Sequence, residues 1–295
     1  MFIHVNGVRL FFDVEGAQLR PSGPVMRELP TVVLLHGGPG ADHSHYRPHM
    51  SPLAEVAQLI YLDHRGNGRS EAGPQSSWTL AQWGDDVRAF CDALGLVHPV
   101  VLGASFGGEV ALSYATRHPG HPGKLVLMST AARGGAHTQR RVDLFEQLGG
   151  TEVGALARQR LLGGDTSPAV LAAWLRLALP HYNRSAADPF ELPRAVRNPE
   201  ATRWFSRADG EGNHFDLRAG LHRITCPVLL MGGTLDPMLP IENQRDIAAL
   251  LRPEQLQYVE FEGAGHGLVA DAPERALTLL RDFITTDFIA TENQE

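Results

Sequence analysis

Short apolar segments alternate with helical patterns along much of this chain, and this alternation restricts the possible folds more than any other feature. In the first 130 residues the apolar segments are TVVLLH, QLIYLD, PVVLGAS and KLVLMST. The helical patterns lie between them, near 46–57, 79–94 and 107–117. Continuous apolar strands that alternate with helices are typical of βαβ units. We therefore predict an α/β fold with a doubly wound, mostly parallel sheet of about eight strands.

The alternation stops after residue 130. The next 90 residues contain helical segments such as PAVLAAWLRLALP but no buried strand. The alternation of strand and helix patterns resumes with CPVLLMGG, a helix near 241–251, LQYVEFEG and a last helix near 272–286. We expect residues 1–130 and 221–295 to form one core, and residues 131–220 to form a helical insertion that sits on the sheet.

The two ends of the chain differ from this core. Alternating apolar residues around Asn6-Gly7 predict a two-residue β-hairpin. The polar, proline-containing stretch AQLRPSGPVMRELP predicts a surface loop. The last residues, TENQE, predict a frayed end.

Composition excludes several classes of partner. The net charge of −7 argues against nucleic acid or an anionic membrane as the main partner. Cys91 and Cys226 are too few for a disulfide framework or a four-ligand metal site. We expect neither a metal nor an organic cofactor. The first residues do not read as a signal peptide, and no apolar run has membrane-spanning length. A cytoplasmic protein is the expectation.

The stretch GASFGG carries the first sign of chemistry. Its G-x-S-x-G pattern lies between a predicted strand and a predicted helix, which is the context of a nucleophile elbow. A sharp turn there holds the serine hydroxyl clear of the sheet at a helix N-terminus. We predict Ser105 as the nucleophile.

A serine nucleophile needs a base and an orienting acid. Asp236 and His266 follow predicted strands in the chain order Ser, Asp, His that this architecture uses. Both therefore fall at the sheet edge where Ser105 is expected. The rival acids Asp209 and Asp216 lie in the insertion and have no strand before them.

The glycine-rich stretch HGGPG follows the first predicted parallel strand. Acyl transfer creates an oxyanion that needs two preorganised N–H donors. One is expected from Phe106, the residue after the nucleophile, and the other from this loop. We predict Gly38 as the second donor, because Pro39 has no N–H.

Together HGGPG, LDHRGNGRS, GASFGG and GAGHG resemble the α/β-hydrolase superfamily, in particular its proline-iminopeptidase-like branch. The resemblance covers the whole chain. It implies an α/β-hydrolase fold whose helical insertion is a cap domain. It also implies a triad of Ser105, Asp236 and His266 with Gly38 and Phe106 as the oxyanion hole.

The sequence departs from that branch around the substrate. Phe106 stands where iminopeptidases usually carry tryptophan, and the DHRG stretch stands where DQRG is usual. The branch holds the substrate's amine with cap glutamates. The glutamates of this insertion match no such motif and are expected to be surface charges; they are Glu146, Glu152, Glu191 and Glu211.

Other conspicuous residues are expected to be structural. We expect Asp63 and Arg65 to form an ion pair beside the site, and His36 to be a buried hydrogen-bonding residue. Most aromatic residues of the insertion, Tyr182 and Phe205 among them, are expected to form its core. For the substrate pocket we predict Gly37, Trp174 and Trp204.

Together these expectations predict a serine hydrolase that acts through an acyl-enzyme on carboxylic esters or lactones. One alternative is release of N-terminal proline from small peptides. A second is a receptor that keeps the triad but uses the pocket for binding. The expected partner is a small ester, lactone or short peptide, and the oligomeric state stays open.

Overall fold

The computed structural model describes residues 1–186 and 188–286, so the predicted fraying of TENQE lies outside the described residues. The strands are β1 (Phe2–Val5), β2 (Val8–Glu15), β3 (Leu19–Ser22), β4 (Val25–Glu28), β5 (Thr31–Leu35), β6 (Gln58–Leu62), β7 (Val100–Ala104), β8 (Lys124–Met128), β9 (Val228–Gly233) and β10 (Leu256–Phe261). Eight of them form one sheet in the order β1-β2-β6-β5-β7-β8-β9-β10. Its pairs are parallel from β6 to β10 and antiparallel at β1 and β2.

Helices flank this sheet. They are α1 (Leu80–Ala93), α2 (Phe106–Arg117), α3 (Thr138–Ala157), α4 (Pro168–Ala173), α5 (Glu191–Arg194), α6 (Pro199–Ser206), α7 (Glu211–His214), α8 (Ile241–Ala248), α9 (Leu268–Asp271) and α10 (Pro273–Thr285). Single π-helical segments at Arg158–Leu162 and Trp174–Ala178 continue α3 and α4. In the described part of the chain, no helix combines the length and the apolar character needed to cross a membrane.

The predicted α/β fold and its parallel strands are confirmed. Strands β5 to β9 are buried almost throughout, because helices cover both faces of the sheet. That double burial is why these strands are continuous apolar runs in the sequence. The hairpin at Asn6-Gly7 is also confirmed, with both residues at positive φ (45° and 78°) between β1 and β2.

Two local predictions differ from the structure. The stretch predicted as a surface loop, 17–30, is exposed but contains the hairpin β3–β4, which turns at Gly23. The helix predicted near 46–57 is two short 3₁₀ helices, His43–Tyr46 and Ser51–Glu55. Pro48 and Pro52 lack the N–H that a continuous α-helix needs there.

The chain between β8 and β9 folds into helices α3 to α7. We call this part the inserted helices. Part of it has a small apolar core of its own, formed by Val142, Phe145, Val153, Leu156, Ala157, Val170, Trp174 and Ala178. Another part, including Ala201 and Phe205, packs into the main core. The exact limits of 131–220 as a separate unit stay a prediction.

Candidate active site

Ser105 lies in a strained turn between β7 and α2. Its backbone has φ 55° and ψ −124°, a conformation that non-glycine residues rarely adopt. A β-carbon at Gly103 would collide with the carbonyl of Gly107, and one at Gly107 with the carbonyl of Leu35. Only glycine at both positions lets β7, the turn and α2 approach so closely. This is the elbow geometry that the G-x-S-x-G pattern predicts.

The loop after β5 lies directly beside this turn. A β-carbon built on Gly37 would be 3.4 Å from Ser105 Cβ, so the space next to the hydroxyl is kept open by a glycine. Gly38 follows at φ 131°, a region that favours glycine. Neither the Gly38 N–H nor the Phe106 N–H donates to any acceptor within the described residues. Both are therefore free to bind an oxyanion.

His266 and Asp236 form a hydrogen-bonded pair after β10 and β9. His266 Nδ1 lies 2.8 Å from Asp236 Oδ2. Asp236 is fully buried, and its Oδ1 accepts the N–H groups of Met238 (2.8 Å) and Leu239 (2.9 Å). This pairing leaves His266 Nε2 as the nitrogen that can exchange a proton. In the described ranges no hydrogen bond joins it to Ser105 Oγ, a contact that often shortens only with substrate bound.

The loop of His266 is anchored by the chain that follows the 3₁₀ turn Leu179–His181. The His266 N–H donates to the Tyr182 carbonyl (2.7 Å), and the Gly267 N–H donates to Asn183 Oδ1 (2.8 Å). The Tyr182 ring also meets the His266 ring edge to face at 5.6 Å. Asp271 ties the same loop down by accepting the Gly265 N–H. Sequence reasoning missed the Tyr182 and Asn183 contacts, because partners more than 80 residues apart leave no local pattern.

The charged residues of the loop after β6 bind partners other than the predicted ones. The expected Asp63–Arg65 ion pair is wrong. Arg65 instead forms a buried two-point ion pair with Asp86 on α1, at 2.7 and 2.8 Å. Asp63 hydrogen-bonds His43 Nδ1 at 2.6 Å. The two charged residues lie on one loop but bind different partners, and their closeness in the sequence does not reveal this.

His36 is a buried structural residue, as predicted. Its Nδ1 lies 2.7 Å from the Gly37 carbonyl, and its Nε2 accepts the His64 N–H at 3.1 Å. Burial lowers the pKa of His36, so the imidazole is neutral and holds the glycine loop in place.

The two predicted pocket tryptophans occupy different places. Trp174 is buried, and its Nε1–H donates to the Tyr182 hydroxyl at 2.8 Å. Trp174 is thereby linked to the anchor of His266. Trp204 packs edge to face on Trp78 and is covered by Arg207. Within the described residues no hydrogen bond or ring contact links Trp204 to Ser105, Asp236 or His266.

Three charged residues near this site escaped sequence reasoning. Glu109 lies one helical turn after Ser105, and burial raises the pKa of its carboxyl group to about 8. Its Oε2 is buried without a hydrogen-bond partner, and so is Arg141 Nε on α3. Arg160 stacks on the Trp174 ring at 4.2 Å. Charged residues on helices are normally solvent-exposed, so only tertiary packing reveals these three.

The glutamates of the inserted helices follow the prediction only in part. Glu152 is exposed, and the partly exposed Glu146 pairs with Arg158 at 3.2 Å. Glu191 is partly buried. Glu211 is wrongly predicted as a surface charge: it is partly buried and accepts the Leu80 N–H at the start of α1.

Other candidate sites are weaker. A surface cleft of about 690 Å³ lies at the opposite, amino-terminal edge of the sheet, where Thr31 and Val100 begin β5 and β7. Ligands of open α/β sheets bind at the carboxyl ends of the strands, where Ser105 lies. Within the described ranges, no three His, Cys, Asp or Glu side chains are grouped so that they could hold a metal ion.

The fold and the arrangement of these residues agree with the comparison to known protein families. Residues 30–273 match the model of the α/β-hydrolase fold family, and the chain belongs to that family. Among relatives, it is 29% identical over 256 residues to a putative carbamate hydrolase RutD from Caulobacter sp. (strain K31), covering 86% of this chain and 90% of the relative. It is 26% identical over 283 residues to the proline iminopeptidase PfmaB from Pestalotiopsis fici, covering 93% and 98%.

A solved structure supports the fold. The crystal structure of a proline iminopeptidase from Mycobacterium smegmatis matches with a TM-score of 0.77 at 22% identity, over 96% of this chain and 97% of that one. The family membership and the relatives named as hydrolases identify the protein as an α/β-hydrolase enzyme.

Proposed function

We propose that this protein is a serine hydrolase that acts on carboxylic esters or lactones through an acyl-enzyme at Ser105. The observation that carries the proposal is the shared position of three groups. Ser105 and the His266–Asp236 pair follow β7, β10 and β9, which run parallel in one sheet, so all three lie at its carboxyl edge.

The reaction follows from this arrangement. Ser105 Oγ attacks the acyl carbon while His266 Nε2 takes its proton, and Asp236 holds the resulting imidazolium through Nδ1. The N–H groups of Gly38 and Phe106 bind the oxyanion. The intermediate collapses, and the leaving alkoxide takes the proton from His266. Water then attacks the acyl-enzyme by the same steps and releases the carboxylic acid.

The second candidate is release of N-terminal proline, which the relatives named proline iminopeptidases favour. A prolyl substrate brings an ammonium group that needs an anionic partner once it leaves water. The inserted helices place arginines, Arg141 and Arg160, in the electrostatic neighbourhood of Tyr182 beside His266. A neutral ester or lactone suffers no repulsion there, so we place esters first.

One comparison separates the candidates: kcat/KM for phenyl butyrate against prolyl-β-naphthylamide on the purified protein. We expect measurable ester hydrolysis and a value at least tenfold lower for the prolyl substrate. A clear advantage for the prolyl substrate would favour an iminopeptidase. Saturable binding of both compounds without turnover of either would favour the receptor alternative.

A further inference from the structure

Two arginines of the inserted helices approach the proposed catalytic pair. Arg141 Nη2 lies 3.7 Å from Met238 Sδ, and Met238 donates its N–H to Asp236. Arg160 stacks on Trp174, whose indole N–H is bonded to the Tyr182 hydroxyl. The two guanidinium groups are electrostatic neighbours of each other and of Tyr182. Tyr182, whose ring contacts His266, is therefore a neighbour of both arginines, which we call the cationic pair.

Neither arginine of the cationic pair makes a direct ion pair with a carboxylate in the part of the chain that the structure describes. No ion pair within 4.0 Å among the described residues involves Arg141 or Arg160. Other arginines do form ion pairs, among them Arg65, Arg69, Arg117, Arg158 and Arg245. Arg141 Nε is buried and makes no hydrogen bond. Burial also lowers the pKa of both guanidinium groups. A buried donor without an acceptor is costly, so its persistence points to a ligand.

Two carboxylates, Asp236 and Glu109, act on Arg141 electrostatically, and Asp236 is already hydrogen-bonded to His266. Glu109 is a poor counter-ion. It is an electrostatic neighbour of Arg141, but the two make neither a hydrogen bond nor an ion pair. Burial raises the pKa of Glu109 to about 8, so near neutral pH its carboxyl group is mostly protonated. Glu109 then does not compensate the positive charge of the pair.

We propose that Arg141 and Arg160 bind a carboxylate of the substrate, so that the preferred substrates are esters or lactones that also carry a free carboxylate. This inference rests on the proposed ester or lactone hydrolysis at Ser105. Guanidinium groups match carboxylates in planar, two-point hydrogen bonds, and such bonds strengthen where water is excluded. The carboxylate would anchor the substrate beside His266 and orient its scissile carbonyl toward Ser105.

The kinetic test compares each acid with its own methyl ester. p-Nitrophenyl hydrogen adipate carries the carboxylate on the acyl side, and 4-acetoxybenzoate carries it on the leaving group. We expect the acid to have the higher kcat/KM in at least one pair. The ratio of acid to methyl ester should fall roughly tenfold or more in Arg141→Gln and in Arg160→Gln. Arg176→Gln, an exposed arginine of the same helices, is the matched control and should keep the wild-type ratio.

The binding test does not depend on turnover. In Ser105→Ala protein, calorimetry should show tighter binding of methyl hydrogen adipate than of dimethyl adipate. Adding Arg141→Gln should remove that difference. Equal binding of the two compounds, together with equal acid-to-ester ratios in all variants, would overturn the carboxylate site. Carboxylate-dependent binding without hydrolysis of any ester would support the site and contradict the proposed function.

Discussion

At the scale of single residues, the ionisation of the Glu109 carboxyl group can be tested through protein stability, without any substrate. Burial raises the pKa of its carboxyl group to about 8, well above the ordinary value, so the folded state holds this proton more tightly than the unfolded state. The stability that this proton provides is fully present below the ordinary pKa and is lost as pH rises through about 8.

Glu109→Gln mimics the protonated group and should remove this dependence. We expect the melting temperature of the variant, relative to wild type, to rise steadily between about pH 5 and about pH 9. The measurement is thermal unfolding of both proteins across that range. Glu152→Gln, at an exposed position, should show no such trend. A constant difference between Glu109→Gln and wild type would mean that the carboxyl group ionises normally in the folded protein.

At the scale of elements, the close approach of α2 to β5 depends on glycine. A β-carbon at Gly107 would collide with the backbone carbonyl of Leu35, and a strand carbonyl cannot move aside cheaply. We expect Gly107→Ala to lower the free energy of unfolding by about 2–4 kcal/mol. Gly120 has open space around it and an ordinary φ, so Gly120→Ala should stay within about 0.5 kcal/mol of wild type. Urea unfolding measures both; equal stabilities would show that the elbow is less tightly packed.

The inserted helices should select substrates through Trp174. Trp174→Phe removes the hydrogen bond to the Tyr182 hydroxyl and weakens the stacking of Arg160. We expect kcat/KM for long or charged acyl esters to change several-fold more than kcat/KM for phenyl acetate. Trp204→Phe is the paired comparison, because Trp204 packs on Trp78 instead. Identical substrate profiles for wild type and both variants would remove the inserted helices as the selector.

At the scale of the whole molecule, the sequence predicted what local patterns encode. Strands buried on both faces are continuous apolar runs, and the turn at Ser105 requires glycines at fixed spacing, so the sheet and its elbow were predictable. The partners of Arg65 and Tyr182 were not, because Asp86 and His266 come close only after folding. The buried atoms Arg141 Nε and Glu109 Oε2, which have no hydrogen-bond partner, were unpredictable for the same reason: burial on a helix depends on what packs against it.

The proposed chemistry depends on Ser105 being the one activated nucleophile. The most direct measurement is labelling with a fluorophosphonate probe, followed by mass spectrometry of the labelled peptide. We predict a single adduct on Ser105 in the wild type, much slower labelling of His266→Ala, and none in Ser105→Ala protein with wild-type melting behaviour. An adduct on another residue, or equal labelling of wild type and Ser105→Ala, would contradict the assignment of Ser105 as the nucleophile.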